Sequence, residues 1–153
     1  MREKKSKINL YGTVKSEANA TIGNKIKIYH QSRDTFSSQM YRHVLRDESE
    51  VMFDGAIDVA KEAKRTESYQ ANDSIILSAD AILHTRPILS IFEDEVKCSH
   101  GATIGNLDKS QINYLRSRGI NHLEAEKILI DAFIEKVFSK NNIDTLLFLD
   151  RQY

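Results

Sequence analysis

Asp94-Glu95-Val96-Lys97-Cys98-Ser99-His100-Gly101-Ala102-Thr103 divides the chain in two. Before it the sequence reads as short extended runs, and after Leu107 it reads as helix. The stretch holds the only cysteine and one of the five histidines. In extended backbone, residues two apart share a face, so Cys98 and His100 project together, with Ser99 opposed. A thiol beside an imidazole suits a transition metal, a persulfide or a thiolate nucleophile. The plainer reading of a single cysteine is a small buried hydrophobe.

Toward the N-terminus, strand formers recur in residues 8–14, 20–30, 38–45, 50–59, 74–78, 82–84, 87–92 and 96–104. Ile22, Ile26 and Ile28 fall on one face of their run, and Gly12 is placed for a bulge. Polar corners such as Asp47-Glu48-Ser49 and Asn72-Asp73 separate the runs. The one Asp-Gly pair, Asp54-Gly55, sits inside an apolar run rather than between two. Short strands without tight hairpin turns suit a β-solenoid slightly better than a sandwich, although no clean repeat period stands out. Such a stack leaves an N-terminal rung with unpaired backbone groups.

Toward the C-terminus, Asp108 can cap a helix through Arg116, and Gly119 can end it. Asn121 opens a second helix, with Glu124 completing a capping box. Ala125, Ile128, Leu129, Ala132, Phe133 and Val137 recur at helical spacing as one apolar stripe. Asn142 can cap a short third helix through Ile143, Leu146 and Leu147. The expected organisation is a mainly β body over residues 1–107 and a small helical segment over 108–153. The stripe then packs on the body or docks another protein.

The 22 basic and 22 acidic residues cancel, which removes the general electrostatic footprint of a nucleic-acid binder. No run of about 18 apolar residues offers a membrane span. The basic N-terminal cluster of residues 1–7 is not followed by a signal-peptide core. One cysteine cannot form an intrachain disulfide, in keeping with a reducing, cytoplasmic setting. No G-x-x-x-x-G-K-[ST] loop is present, so no nucleotide site is expected in this chain.

Two motifs in order are specific: Val96-Lys97-Cys98-Ser99-His100-Gly101-Ala102-Thr103-Ile104-Gly105 and Tyr114-Leu115-Arg116-Ser117-Arg118-Gly119-Ile120. With them stand Phe53-Asp54-Gly55-Ala56-Ile57-Asp58-Val59, the corner from Thr66 to Gln70, and Thr85-Arg86-Pro87. In these motifs the chain closely resembles the SufB/SufD family of iron–sulfur cluster assembly proteins, nearer the SufD branch. It departs from the family at His84, where an acidic residue is common, and at Ile88-Leu89. It also begins where a SufD is already well into its β-helix, as an N-terminally shortened chain would.

The resemblance implies a right-handed parallel β-helix followed by a C-terminal helical segment. It implies a non-catalytic scaffold subunit that pairs with a SufB-like protein, or with a second copy, and is coupled to a SufC-like ABC ATPase. His100 and Cys98 would face a transient iron–sulfur cluster or iron at the subunit interface. Tyr114, Leu115, Arg116 and Arg118 would serve the ATPase. Arg116 and Arg118, two apart on a helix, do not share a face. A [2Fe–2S] or [4Fe–4S] unit takes four protein ligands, so a partner must supply the rest. Two other readings stand beside this one. One is a β-helix enzyme acting on polysaccharide, with Asp54, Asp58 and Arg65 as available groups. The other is an interaction remnant that pairs without supporting assembly.

Overall fold

The computed structural model describes residues 1–139. Seven strands come first: β1 (Lys7–Ser16), β2 (Thr21–His30), β3 (Phe36–Leu45), β4 (Glu50–Val59), β5 (Thr66–Ile76), β6 (Ile82–Ile91) and β7 (Val96–Gly105). Two helices follow, α1 (Lys109–Ser117) and α2 (His122–Ser139). Odd strands form one parallel sheet in the order β1-β3-β5-β7, and even strands form a second in the order β2-β4-β6. Each strand therefore lies on the one two places before it. That is a parallel β-solenoid, as the absence of hairpin turns suggests. The expected third helix at Asn142 lies outside the described residues.

The repeat that is hard to see in the sequence is plain in the register. Lys7 sits beside Phe36, Phe36 beside Glu67, and Glu67 beside Lys97. Side chains pointing inward then stack in columns. Ile8, Ser37, Ser68 and Cys98 form one, and Leu10, Gln39, Gln70 and His100 the next. Half of this interior is polar. Ser37 Oγ meets Ser68 Oγ at 2.6 Å, and Thr35 Oγ1 meets Thr66 Oγ1 at 3.0 Å. Buried hydroxyls paired with each other avoid the desolvation cost that unpaired ones would carry. The even sheet supplies the apolar half: Val51, Phe53, Ile57 and Val59 are at most 1% exposed.

Corners repeat as well. Lys5, Asp34 and Arg65 each take the left-handed backbone conformation, with φ of 63°, 60° and 57°. Ala18 and Asp47 do so at the opposite corner, with φ of 55° and 58°. A left-handed residue costs about 1–2 kcal/mol. Local bonds offset it: Arg65 Nε and Nη2 donate to Asp34 at 2.6 and 3.0 Å, and the Ala18 N–H donates to Asp47 at 2.9 Å.

Several local expectations change. β5 runs unbroken from Thr66, so Asn72-Asp73 is mid-strand rather than a corner. Its inward residues Thr66, Ser68, Gln70, Asn72 and Ser74 are all polar and all buried, so no apolar alternation announces it. β6 continues through Pro87. Ile82 and Phe92 donate to the β4 side, and N–H directions alternate, so the missing proline N–H falls on the free edge and breaks no ladder bond. β1 holds continuous register with no bulge at Gly12. A Cβ there would lie 2.3 Å from the Tyr41 ring, so close packing accounts for this glycine.

Helix ends follow the sequence. Asp108 caps α1 by accepting from the Ser110 N–H at 2.8 Å, and Gly119 leaves the helix with φ of 89°. The Glu124 N–H donates to Asn121 Oδ1 at 2.9 Å. Asn121→Ala should lower stability by about 1 kcal/mol, read as a shift in the urea midpoint. The buried seam of α2 is rotated from the expected stripe. Ala125, Ile130, Ile134 and Val137 are buried, whereas Ile128 is 41% exposed. The helix packs on α1 and on the outer face of β1 and β3, so its seam bends between two surfaces. Val44, Ile130 and Ile134 form the centre of that contact, flanked by Leu77, Leu107, Phe133 and Phe138.

Candidate functional site

Among the described residues β7 bonds to β5 on one side only, which makes it a free edge of the four-stranded sheet. β6 holds the same position in the other sheet. Together they present the C-terminal end of the solenoid, with Ile82, Ile88, Ile91, Phe92 and Ile104 all at least 40% exposed. Open edge strands carrying large apolar side chains are pairing surfaces. Pro87 removes one donor from the β6 edge, and β7 has no proline.

Cys98 and His100 fall on the inward parity of β7, beside Ser68 and Gln70 of the rung beneath. Among the described residues no rung covers them from the other side; His100 is exposed and Cys98 is half-buried. They differ in environment. Cys98 packs against the cluster of Ile57, Val59 and Ala63, with Leu89 and Val96. Burial pushes its thiol above the ordinary range, partly opposed by a backbone hydrogen bond from Ser68. It is therefore protonated at neutral pH, and a metal must displace the proton to bind. Among the described residues, no three His, Cys, Asp or Glu side chains come together as a metal cage.

The acidic corner beside the strand is engaged locally. Glu93 accepts from the Glu62 N–H at 3.0 Å, and Glu95 lies 3.9 Å from Arg65. The groups offered for polysaccharide chemistry are tied into pairs between rungs: Asp54 with Arg86 at 2.8 Å, Asp58 with Lys27 at 2.9 Å, and Arg65 with Asp34. His30 and His43 are fully buried. His84 lies 3.7 Å from Glu50 and His122 3.4 Å from Glu126.

The four helical candidates divide. Tyr114 and Leu115 join Ser110, Gln111, Ile128 and Leu129 around a shallow apolar hollow of about 320 Å³. The Arg118 guanidinium stands over the Tyr114 ring at 5.4 Å. Arg116 faces a different groove, shared with Ile112, His122 and Glu126. Ile128 and Leu129 belong to this surface because the seam of α2 rotates them outward. Sequence reading missed Arg42, whose buried guanidinium ties α2 to the sheet. A lone arginine in a strand gives no sign of that until the helix is placed over it.

Comparison with known proteins bears on the family of the chain. The family model for the SUF system FeS cluster assembly SufBD core domain matches residues 1–133. The iron–sulfur cluster assembly protein SufD of Escherichia coli (strain K12) is 42% identical over 97 residues, covering 63% of this chain and 23% of that protein. An iron–sulfur cluster assembly SufBD family protein of Synechocystis sp. is 35% identical over 150 residues, covering 90% of this chain and 33% of its own length. Protein ABCI7, chloroplastic, of Arabidopsis thaliana is 35% identical over 105 residues, which are 68% of this chain and 22% of that protein. The chain thus spans a third or less of each relative's length. No helix among the described residues is long and apolar enough to cross a membrane. On its family match, its solenoid and its motifs, the chain belongs to the SufBD family of the SUF iron–sulfur cluster assembly system, as a SufD-like member.

Proposed function

We propose that the chain is a non-catalytic scaffold subunit that pairs through its C-terminal rung with a SufB-like protein, or with a second copy. At the junction His100, and secondarily Cys98, bind iron or a nascent iron–sulfur cluster as cargo. The observation that supports this most is β7: a free edge strand that places an exposed imidazole at the end of the stack. Two donors from one chain leave half of a four-ligand set to the partner, so the site is completed by association. The hollow around Tyr114 and Leu115, next to Arg118, takes a SufC-like ATPase, which hydrolyses the nucleotide this chain does not bind. The setting is cytoplasmic.

Coexpression with SufB and SufC homologues, followed by anaerobic reconstitution with iron and sulfide, tests this. The chain should co-elute with its partners, and the complex should develop cluster absorbance. His100→Ala should retain co-elution and lose most of that absorbance, because exposed side chains contribute little to the fold. A normal cluster yield from His100→Ala would refute the ligand role. Co-elution without cluster from the native chain would identify the interaction remnant.

A further inference from the structure

One outward-facing row crosses the whole odd sheet: Thr13, Arg42, Asp73 and Thr103 stand side by side on β1, β3, β5 and β7. Arg42 is 6% exposed because α2 lies over it. Its Nη1 donates to the backbone carbonyl of Phe133 in α2, and its guanidinium stacks over the Phe133 ring at 4.4 Å. Its Nη2 donates to Asp73 Oδ2 at 3.3 Å. The other oxygen of the same carboxylate, Oδ1, accepts from Thr103 Oγ1 at 2.6 Å. A continuous polar link therefore runs from the middle of α2, across two rungs, to a residue three positions beyond His100 on the edge strand.

We propose that Arg42 and Asp73 are positioning residues that join helix α2 and edge strand β7 into one mechanical unit, so that displacement of the helix is felt at the strand carrying His100. The chemistry favours a stiff connection. A nearly buried guanidinium loses much when any partner leaves, since its charge is then unpaired in a poorly hydrated site. Movement of Phe133 must either carry Arg42 along or strand that charge. Asp73 in turn uses separate oxygens for Arg42 and Thr103, so a shift of the carboxylate toward one partner pulls on the other. Among the described residues β7 has no second neighbour in the sheet, and this side-chain link adds to its ladder with β5. An ordinary ion pair, by contrast, would stabilise the whole domain evenly and leave helix and strand independent. The link is a property of this chain alone; its use in driving cluster assembly rests on the function proposed above.

Hydrogen exchange on the full 153-residue chain separates the two cases without any partner. Ile130→Ala loosens α2 from Val44 of β3 without touching the row. The slow amides of β7 should then exchange about fivefold faster relative to those of β4, the factor set by a coupling of about 1 kcal/mol. Thr103→Val removes the β7 end of the link and keeps the Arg42–Asp73 pair. In that background the relative acceleration from Ile130→Ala should vanish. Equal acceleration of β4 and β7 in the native background would overturn the proposal, as would the same relative acceleration in Thr103→Val. If Ile130→Ala does not fold, Ile130→Val replaces it with the same expected pattern. Because the measurement needs neither metal nor ATPase, its failure would leave the role of His100 in cluster binding standing.

Discussion

Acidification to pH 4 should cost the chain about 3 kcal/mol through His30 alone, because burial lowers this imidazole from 6.5 to about 4. Its ring is fully buried, with Nδ1 2.7 Å from Thr35 Oγ1 and Nε2 2.9 Å from Ser37 Oγ. Those hydroxyls also engage Thr66 and Ser68 in the next rung, so a doubly protonated ring would force the interior network to rearrange. The positive N-terminus adds a smaller repulsion. The sign follows from the depressed folded value. Above 6.5 the ring is neutral in both states and its contribution is fully present. As the pH falls, the unfolded chain takes up the proton first, and stability declines until about pH 4, where the folded ring also charges. His43, lowered by burial as well, acts in the same direction. Urea denaturation at pH 7 and pH 4.5 measures the difference, which should be about 2.5 kcal/mol from His30. His30→Gln should show a much smaller difference. Equal midpoints at the two pH values in the native chain would contradict the prediction.

Phe53→Ala should lower stability by about 3–5 kcal/mol, a large part of the whole for a domain of this size. Phe53 is 1% exposed and reaches across from the even sheet. Its ring centroid lies 5.0 Å from that of Tyr41 and 5.3 Å from that of His43, so it bridges the apolar and polar halves of the interior. Stacked rungs share one backbone register on both sides, which leaves the walls little freedom to close over a vacated ring. The cost therefore falls at the high end for a large-to-small change. Met52, the next residue, faces outward and is 43% exposed. Met52→Ala should change stability by no more than about 0.5 kcal/mol, and equal effects at the two positions would show that the strand is turned the other way.

The parts that were legible in the sequence rest on local rules. Asp108, Gly119, Asn121 and Glu124 mark helix ends with side chains that bond to neighbouring backbone, so each could be read in place. β4 was visible because its buried face is apolar, and β2 because Ile22, Ile26 and Ile28 share its inward face. β5 escaped because its buried face is Thr66, Ser68, Gln70, Asn72 and Ser74, polar groups that a search for an apolar face assigns to the outside. A signal existed. Thr35-Phe36-Ser37-Ser38-Gln39 and Thr66-Glu67-Ser68-Tyr69-Gln70 share T-x-S-x-Q at the spacing of one rung. Polar columns, rather than apolar ones, carry the repeat here. The α2 stripe was displaced because helical periodicity finds an apolar face but not the angle at which two surfaces divide it.

The amino-acid sequence by itself determined the strand-to-helix order, the helix caps, the family motifs and the shared parity of Cys98 and His100, since each depends on residues close together along the chain. Tertiary structure alone decided that His100 is exposed while Cys98 leans into an apolar cluster, that β7 is a free edge, and that Arg42 lies beneath α2. Those outcomes depend on which rung or helix covers a given side chain, and cover comes from segments about thirty to ninety residues away, whose placement is set by packing rather than by local propensity.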